Sequence, residues 1–181
     1  MRVIAGSLKG RRLKAPDWDG LRPTSDKLRE TLFNIVAPRI AGARVLDAFA
    51  GTGALGIEAL SRGAAFVTFI EQDRRAQALI AENLAHCRIE TGYTVLRAPL
   101  SRAVAALHAS ASVPFDIVLL DPPYSMPGHQ ALMEIDALVA RGGLAVLEHA
   151  KRSTPPERAG RLVRVRQVLS GDSMLTFYEL H

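Results

Sequence analysis

The stretch FDIVLLDPPY, residues 115–124, ends a buried apolar strand with a carboxylate, two prolines and an aromatic ring. The Asp121 carboxylate and the Pro122 carbonyl are acceptors that can each take one N–H bond of an NH2 group. Both prolines fix φ, so this carbonyl is aimed before any ligand binds. Tyr124 offers a ring on which a flat base can stack. This corner is therefore predicted to hold a nucleobase amine for methylation, and an ordinary strand-ending turn is the alternative.

A second motif, DAFAGTGALG over residues 47–56, follows a strand-like segment and opens a helix. Its three glycines match G-x-G-x-x-G, and Glu71 ends the next strand, so a dinucleotide site is one interpretation. Asp47 argues against it, because a carboxylate at the strand end repels a pyrophosphate. The same charge favours S-adenosylmethionine, whose sulfonium and amino group are cationic, and Glu71 can accept from both ribose hydroxyls. The motif therefore predicts a site for S-adenosylmethionine.

Strand-like and helical segments alternate along the chain between residues 43 and 149. The strands are predicted at residues 43–49, 66–71, 93–97, 115–120 and 143–149, with helices at 54–62, 73–87, 101–109 and 128–140. This alternation predicts an α/β protein with a parallel sheet covered by helices on both faces. Two further strand-like runs, 161–169 and 174–180, have no helix between them and indicate an antiparallel hairpin. A mostly parallel, Rossmann-like sheet of seven strands is the outline of the class I methyltransferase fold, although other nucleotide-binding proteins share the doubly wound pattern.

The N-terminal part of the chain carries the excess positive charge. Its first 44 residues hold ten basic and four acidic residues, a net charge of +6, whereas the other 137 residues have a net charge of −1. Residues 1–40 are predicted to form a basic arm or hairpin and a helix, and residues 41–181 the catalytic domain. The helix is expected to begin at Thr24 or Ser25 and to end at Pro38. This charge indicates a nucleic-acid partner, with a solubilising tail as the alternative.

Several classes of protein are disfavoured by the sequence. No apolar run approaches the roughly 20 residues that span a bilayer, and the N-terminus lacks the features of a secretory signal. Cys87 is the only cysteine, which excludes an internal disulfide and indicates a reducing, cytoplasmic location. The histidines show no metal-ligand spacing, so no metal is expected.

The sequence resembles the RsmD-type 16S ribosomal RNA (guanine-N2)-methyltransferases of bacteria over nearly its whole length. The shared segments are RVIAGSLKGRRLKAP, LRPTSDKLRETLFNIV, VLDAFAGTGALGIEALSRGA, FIEQD, DPPY and GDSMLTFYEL. The resemblance implies methyl transfer from S-adenosylmethionine, with S-adenosylhomocysteine as product, to the exocyclic N2 of one guanine in 16S rRNA. It also implies a small ribosomal subunit or its assembly intermediate as the substrate, and a monomeric enzyme is expected.

The resemblance also implies roles for individual residues. The expected cofactor contacts are Asp47, Ala48, Gly51, Gly53, Glu71 and Gln72. The expected guanine contacts are Asp121, Pro122 and Tyr124. The expected pocket or RNA contacts are Arg22, Thr24 and Arg29, and the expected phosphate contacts are Arg11, Arg12 and Lys14. Pro99 stands where the family often has an acid that binds the adenine amine, so that contact stays unassigned.

Other functions remain open at this point. An amino-methyltransferase acting on adenine N6 of DNA or RNA, or on a protein glutamine, also needs a corner that binds NH2. A binding module without catalysis would not need Asp121 beside two prolines. An NAD-dependent oxidoreductase would not need Asp47 at the end of the strand.

Overall fold

The computed structural model describes residues 1–18, 25–110, 114–123 and 125–180. Its α-helices are α1 (Asp26–Ile40), α2 (Ala54–Ser61), α3 (Arg74–His86), α4 (Leu100–Ala109) and α5 (Gly128–Ile135). Its strands are β1 (Arg44–Asp47), β2 (Phe66–Ile70), β3 (Tyr93–Leu96), β4 (Phe115–Leu120), β5 (Val139–Ala150), β6 (Arg158–Ala159), β7 (Leu162–Ser170) and β8 (Ser173–Leu180). Among these described residues, no helix is both long and apolar enough to cross a bilayer.

The strands form one sheet in the order β3-β2-β1-β4-β5-β8-β7-β6. The first five strands in this order are parallel, and β8, β7 and β6 are added antiparallel. The predicted parallel sheet and its C-terminal hairpin are therefore confirmed. The described residues contain eight strands rather than the predicted seven, because Arg158–Ala159 pairs with the start of β7. A strand of two residues is too short to leave a periodic pattern in the sequence.

Two helix ends differ from the prediction. Ser25 caps α1 as expected, with its hydroxyl accepting from the Leu28 N–H at 3.2 Å, but the helix continues past Pro38 to Ile40. Proline removes one backbone donor while its φ remains helical, so an exposed last turn tolerates it. The last predicted helix is shorter than expected, because Asp136–Leu138 forms a 3-10 turn and β5 already begins at Val139.

The two faces of the sheet bury separate hydrophobic layers. Alternate strand residues such as Val45 and Leu119 pack with α1, α2 and α3, whereas their neighbours Leu46 and Leu120 pack with α4 and α5. This alternation follows from the two-residue period of a β-strand. The sheet is therefore covered by helices on both faces.

The N-terminal segment is a hairpin that packs on the sheet domain. Arg2 and Arg12 form an antiparallel bridge, and the Val3 N–H donates to the Arg11 carbonyl at 2.9 Å. Val3 and Leu13 are buried in the same layer as α1, α2 and α3. The division of the chain near residue 40 stays a prediction, and the arm shares a hydrophobic layer with the sheet on which it packs.

Candidate active site

The candidate site lies where the strand order reverses, between β1 and β4. Open α/β sheets bind ligands in the crevice at the carboxyl ends of strands at such a point. Asp47 is the last residue of β1 and pairs with Leu119 of β4. Asp121 directly follows the last residue of β4. The topology therefore brings together the two acids that the sequence placed in different motifs.

The glycine turn shapes the floor of this crevice. Gly53 directly precedes α2 as its N-cap, with φ 78° and ψ 8°, a left-handed conformation that favours glycine. A Cβ on Gly56 would lie 2.1 Å from the Phe69 ring, so only glycine lets α2 pack this closely on β2. The Gly56 N–H donates to Asp47 Oδ2 at 3.0 Å. The tight helix start therefore holds the carboxylate in place.

Asp47 is an acid whose surroundings disfavour its charge. Its side chain is 1% exposed. Its pKa is raised to about 7, chiefly by burial; the Gly56 N–H opposes this shift, and the charges of Asp121 and Glu71 add to it. Asp47 and Asp121 lie at adjacent strand ends, and Glu71 bonds to the turn that follows Asp47, so the three acids share one region of the crevice. Such a site favours a ligand that brings positive charge.

Glu71 follows β2 and reaches back to the glycine turn. Its Oε2 accepts from the Gly51 N–H at 2.8 Å, and its Oε1 accepts from the Asp73 N–H at 2.8 Å. Each carboxylate oxygen has a second acceptor site that these bonds leave open. Gln72 is exposed next to it, and the Ala48 N–H donates to the Leu119 carbonyl at 3.0 Å. Glu71 is therefore fixed beside the turn with acceptor capacity for hydroxyl donors.

The Asp121 corner is half-buried at the mouth of the crevice. Asp121 and Pro122 are both partly accessible, and the Met126 N–H donates to the Pro123 carbonyl at 2.8 Å to close the following turn. Tyr124 lies outside the described residues, as do Arg22 and Thr24. The part played by these three residues stays a prediction.

The three basic residues expected to contact phosphates lie on the arm in different environments. Arg12 is exposed, Arg11 is half-buried with its NH1 donating to the His86 carbonyl at 3.4 Å, and Lys14 Nζ pairs with Glu82 at 2.7 Å. The contacts of Arg11 and Lys14 tie the arm to α3. Their role in RNA binding stays a prediction.

Arg29 is fully buried in α1. Its NH2 donates to the Arg2 carbonyl at 2.7 Å and to Asp26 Oδ1 at 2.6 Å, which ties the helix to the start of the arm. Its Nε and NH1 have no hydrogen-bond partner in the described part of the chain. The resemblance implied a pocket or RNA contact for this residue, and the structure places it against a narrow cavity lined also by Leu119, Leu120 and Glu148.

Two residues that anchor the arm were not predicted from the sequence. Glu58 accepts from the Ile4 and Ala5 N–H groups at 2.8 and 3.0 Å with its two carboxylate oxygens. Asn83 accepts from the Lys14 N–H at 2.7 Å and donates to the carbonyl of Thr52, in the glycine turn, at 2.9 Å. Contacts between residues more than 30 positions apart leave no periodic signal. Asn83, a polar residue on the apolar face of α3, was the only sequence feature that indicated such a contact.

Comparison with known proteins shows the family to which the chain belongs. The family model described as conserved hypothetical protein 95 matches residues 1–179. YlbH of Bacillus subtilis (strain 168), provisionally named an rRNA methyltransferase, is 40% identical over 184 residues, 99% of this chain and 98% of that protein. Ribosomal RNA small subunit methyltransferase D of Escherichia coli (strain K12) is 48% identical over 124 residues, 68% of this chain and 60% of that protein. The chain belongs to the family of small subunit methyltransferase D.

A similar solved structure supports the fold. The Escherichia coli protein yhhF, provisionally described as a methyltransferase, has 34% sequence identity and a TM-score of 0.83, covering 100% of this chain and 99% of that chain. The match includes the N-terminal hairpin as well as the sheet, since nearly all of each chain is covered. The predicted class I methyltransferase fold is confirmed.

Proposed function

We propose that this member of the family transfers a methyl group from S-adenosylmethionine to the exocyclic N2 of a guanine in 16S rRNA. The observation that carries the proposal is the position of two acids, Asp47 and Asp121, at the ends of adjacent parallel strands. One acid lies on the glycine turn and the other lies in a corner rich in acceptors. A cationic methyl donor and an NH2 acceptor would thus meet in one crevice.

The residues present fit this cofactor. Asp47 supplies a buried carboxylate for the cationic methionine part, and Gly51 (φ 53°) and Gly53 (φ 78°) give the turn its left-handed backbone. Glu71 is oriented for the ribose hydroxyls by its two backbone bonds, with Ala48 and Gln72 beside it. When bound, S-adenosylmethionine supplies an electrophilic methyl group on a sulfonium.

We expect the affinity for S-adenosylmethionine to rise with pH between about 5 and 7. The pKa of Asp47 in the folded protein is raised to about 7. Binding therefore releases a proton below that pH, and affinity falls about tenfold per unit as pH decreases. The unfolded chain ionises at lower pH, so Asp47 also makes the free energy of unfolding decrease as pH rises through this window. Titration calorimetry in buffers of different ionisation enthalpy measures the proton release. Asp47→Asn should remove it, and equal proton release in this variant would contradict the assignment.

The proposed role of the Asp121 corner is to orient the acceptor nitrogen. An exocyclic amine is a weak nucleophile because its lone pair is delocalised into the ring. Asp121 and the Pro122 carbonyl each accept one N–H bond, which favours a pyramidal nitrogen facing the crevice. The nitrogen forms a bond to the methyl carbon as the sulfonium releases it, and one N–H proton then passes to Asp121 or water. Tyr124 is proposed to stack on the base.

The N-terminal arm is proposed to contact the RNA backbone through Arg11, Arg12 and Lys14, with Arg22, Thr24 and Arg29 on the pocket side. The log of the RNA binding constant should fall with the log of salt concentration. Changing the three arm residues to glutamine should make this slope less steep by about 2–3, since each phosphate contact contributes nearly one. The matched control changes Arg88, Arg97 and Arg102, which are exposed near β3. An equal slope in the arm variant and wild type would dismiss the arm contacts.

The substrate is proposed to be the small ribosomal subunit or its assembly intermediate, with a monomeric enzyme in the cytoplasm. The target guanine has to be unpaired or flipped, because its N2 otherwise lies within the stack. Incubation of the protein with methyl-labelled S-adenosylmethionine and either small subunits or free 16S rRNA, both from cells that lack the enzyme, tests this proposal. Label in the 16S rRNA of small subunits, at a higher rate than in free 16S rRNA, is the expected result. Label only in a ribosomal protein would contradict the proposal. In separate equilibrium titrations, tight binding of NAD with no binding of S-adenosylmethionine would restore the oxidoreductase alternative.

A further inference from the structure

The register of β4 and β5 places a second acid beside Asp121. The paired part of the two strands ends at Leu120 and Leu147. Both leucines lie in the layer covered by α4 and α5. The next residues, Asp121 and Glu148, therefore return to the opposite face, which α1 and α2 cover. Neighbouring strands lie about 4.8 Å apart, so the two carboxylates start from adjacent positions at the same strand ends.

Glu148 lies in the part of β5 that extends beyond its pairing with β4. After its last pairing with β4, β5 runs on through Ala150 and stays paired with β8 as far as Ser173. Three further residues add about 10 Å of strand. Glu148 therefore lies next to the Asp121 corner, on a segment that pairs with β8 of the C-terminal hairpin.

Glu148 shares a cavity with a buried arginine. Its side chain is half-buried and lines the narrow cavity that Arg29 also lines. Two nitrogens of the Arg29 guanidinium have no hydrogen-bond partner among the described residues. A fully buried cation and a half-buried carboxylate therefore line the same cavity.

We propose that Glu148 accepts the N1–H of the target guanine and makes the site selective for that base. This inference rests on the proposed function. Guanine presents three N–H bonds along one edge, two on N2 and one on N1, which match Asp121, the Pro122 carbonyl and Glu148. Adenine has an acceptor at N1, and a glutamine amide has a carbonyl oxygen there, so each would place a lone pair against the carboxylate. A polar group of the site that is left facing the wrong partner discriminates between substrates.

The test compares two bases at the mapped target position of otherwise identical 16S rRNA that is reconstituted into small subunits. Guanine is compared with 2-aminopurine, which keeps the 2-amino group but has an acceptor at N1. Wild type should prefer guanine by at least about 100-fold in kcat/KM. Glu148→Gln should lower the rate on guanine about 10–100-fold and narrow the preference, because the carboxamide can donate to N1 of 2-aminopurine.

The outcomes separate this role from a structural one. If Glu148 only supports the fold, the rates on both bases fall by the same factor and the preference is unchanged, which would overturn the inference. Glu90→Gln, at an exposed position before β3, serves as the matched control and should keep the wild-type preference. A wild-type preference close to one would overturn the inference without any variant. Methylation of adenine in the natural RNA would overturn the proposed function itself.

Discussion

Replacement of Asp121 with alanine should lower the rate of methyl transfer by at least about 10³-fold and leave the affinity for S-adenosylmethionine within a few-fold of wild type. The substitution removes an acceptor for the NH2 group while the Pro122 carbonyl remains, so the amine loses its orientation. Cofactor affinity should persist because Asp121 raises the pKa of Asp47 in the folded protein. Its removal therefore favours the charged form of the acid that binds the cation.

Single-turnover methylation at saturating cofactor measures the rate in this experiment, and titration calorimetry measures the affinity. Asp121→Asn is the matched variant, since its carboxamide oxygen keeps one acceptor while its NH2 opposes the amine, and its rate should lie between those of wild type and Asp121→Ala. Parallel loss of rate and cofactor affinity in Asp121→Ala would show that the residue supports the fold of the crevice and does not orient the amine.

Replacement of Glu71 with alanine should weaken the binding of S-adenosylmethionine by about 10–100-fold, the scale of two lost charge-assisted hydrogen bonds. The carboxylate is fixed by the Gly51 and Asp73 N–H groups at 2.8 Å each. Its remaining acceptor sites are proposed to bind the ribose hydroxyls. The substitution thus removes the ribose contact and one constraint on the glycine turn together.

Glu71→Gln separates these two effects. A carboxamide still offers one oxygen to the Gly51 N–H, so the turn keeps that constraint while the ribose loses part of its bidentate contact. Its dissociation constant should lie between those of wild type and Glu71→Ala. Glu157→Gln, at an exposed position on the far edge of the sheet, should bind the cofactor as wild type does. A dissociation constant unchanged in Glu71→Ala would dismiss the ribose role.

The sequence predicted the parts of the fold that depend on local pattern. The apolar run of β4 and the glycine turn after β1 were both placed correctly, because strand burial and left-handed glycines leave direct marks in the sequence. The adjacency of Asp47 and Asp121 depends on the strand order, which places β1 next to β4 and which no local pattern gives. The predicted ends of two helices were wrong, because one proline does not fix where a helix ends. The β6 strand was missed, because a two-residue pairing leaves no periodic pattern.

The parts that depend on side-chain contacts across the chain were not predictable. Nothing local indicates that Glu58 and Asn83 hold the arm, or that Arg29 is fully buried. The position of Glu148 beside Asp121 required the register of two strands separated by a helix. These contacts depend on tertiary packing, which a single sequence does not encode as a period or a motif.

Identification of the modified nucleoside tests the central claim most directly. Small ribosomal subunits from cells that lack the enzyme are incubated with the protein and methyl-labelled S-adenosylmethionine, and their 16S rRNA is digested to nucleosides and separated by chromatography with mass detection. The geometry of Asp121, Pro122 and Glu148 predicts label in N2-methylguanosine. Label in N6-methyladenosine, or in a nucleoside methylated on a ring carbon or on ribose, would contradict it.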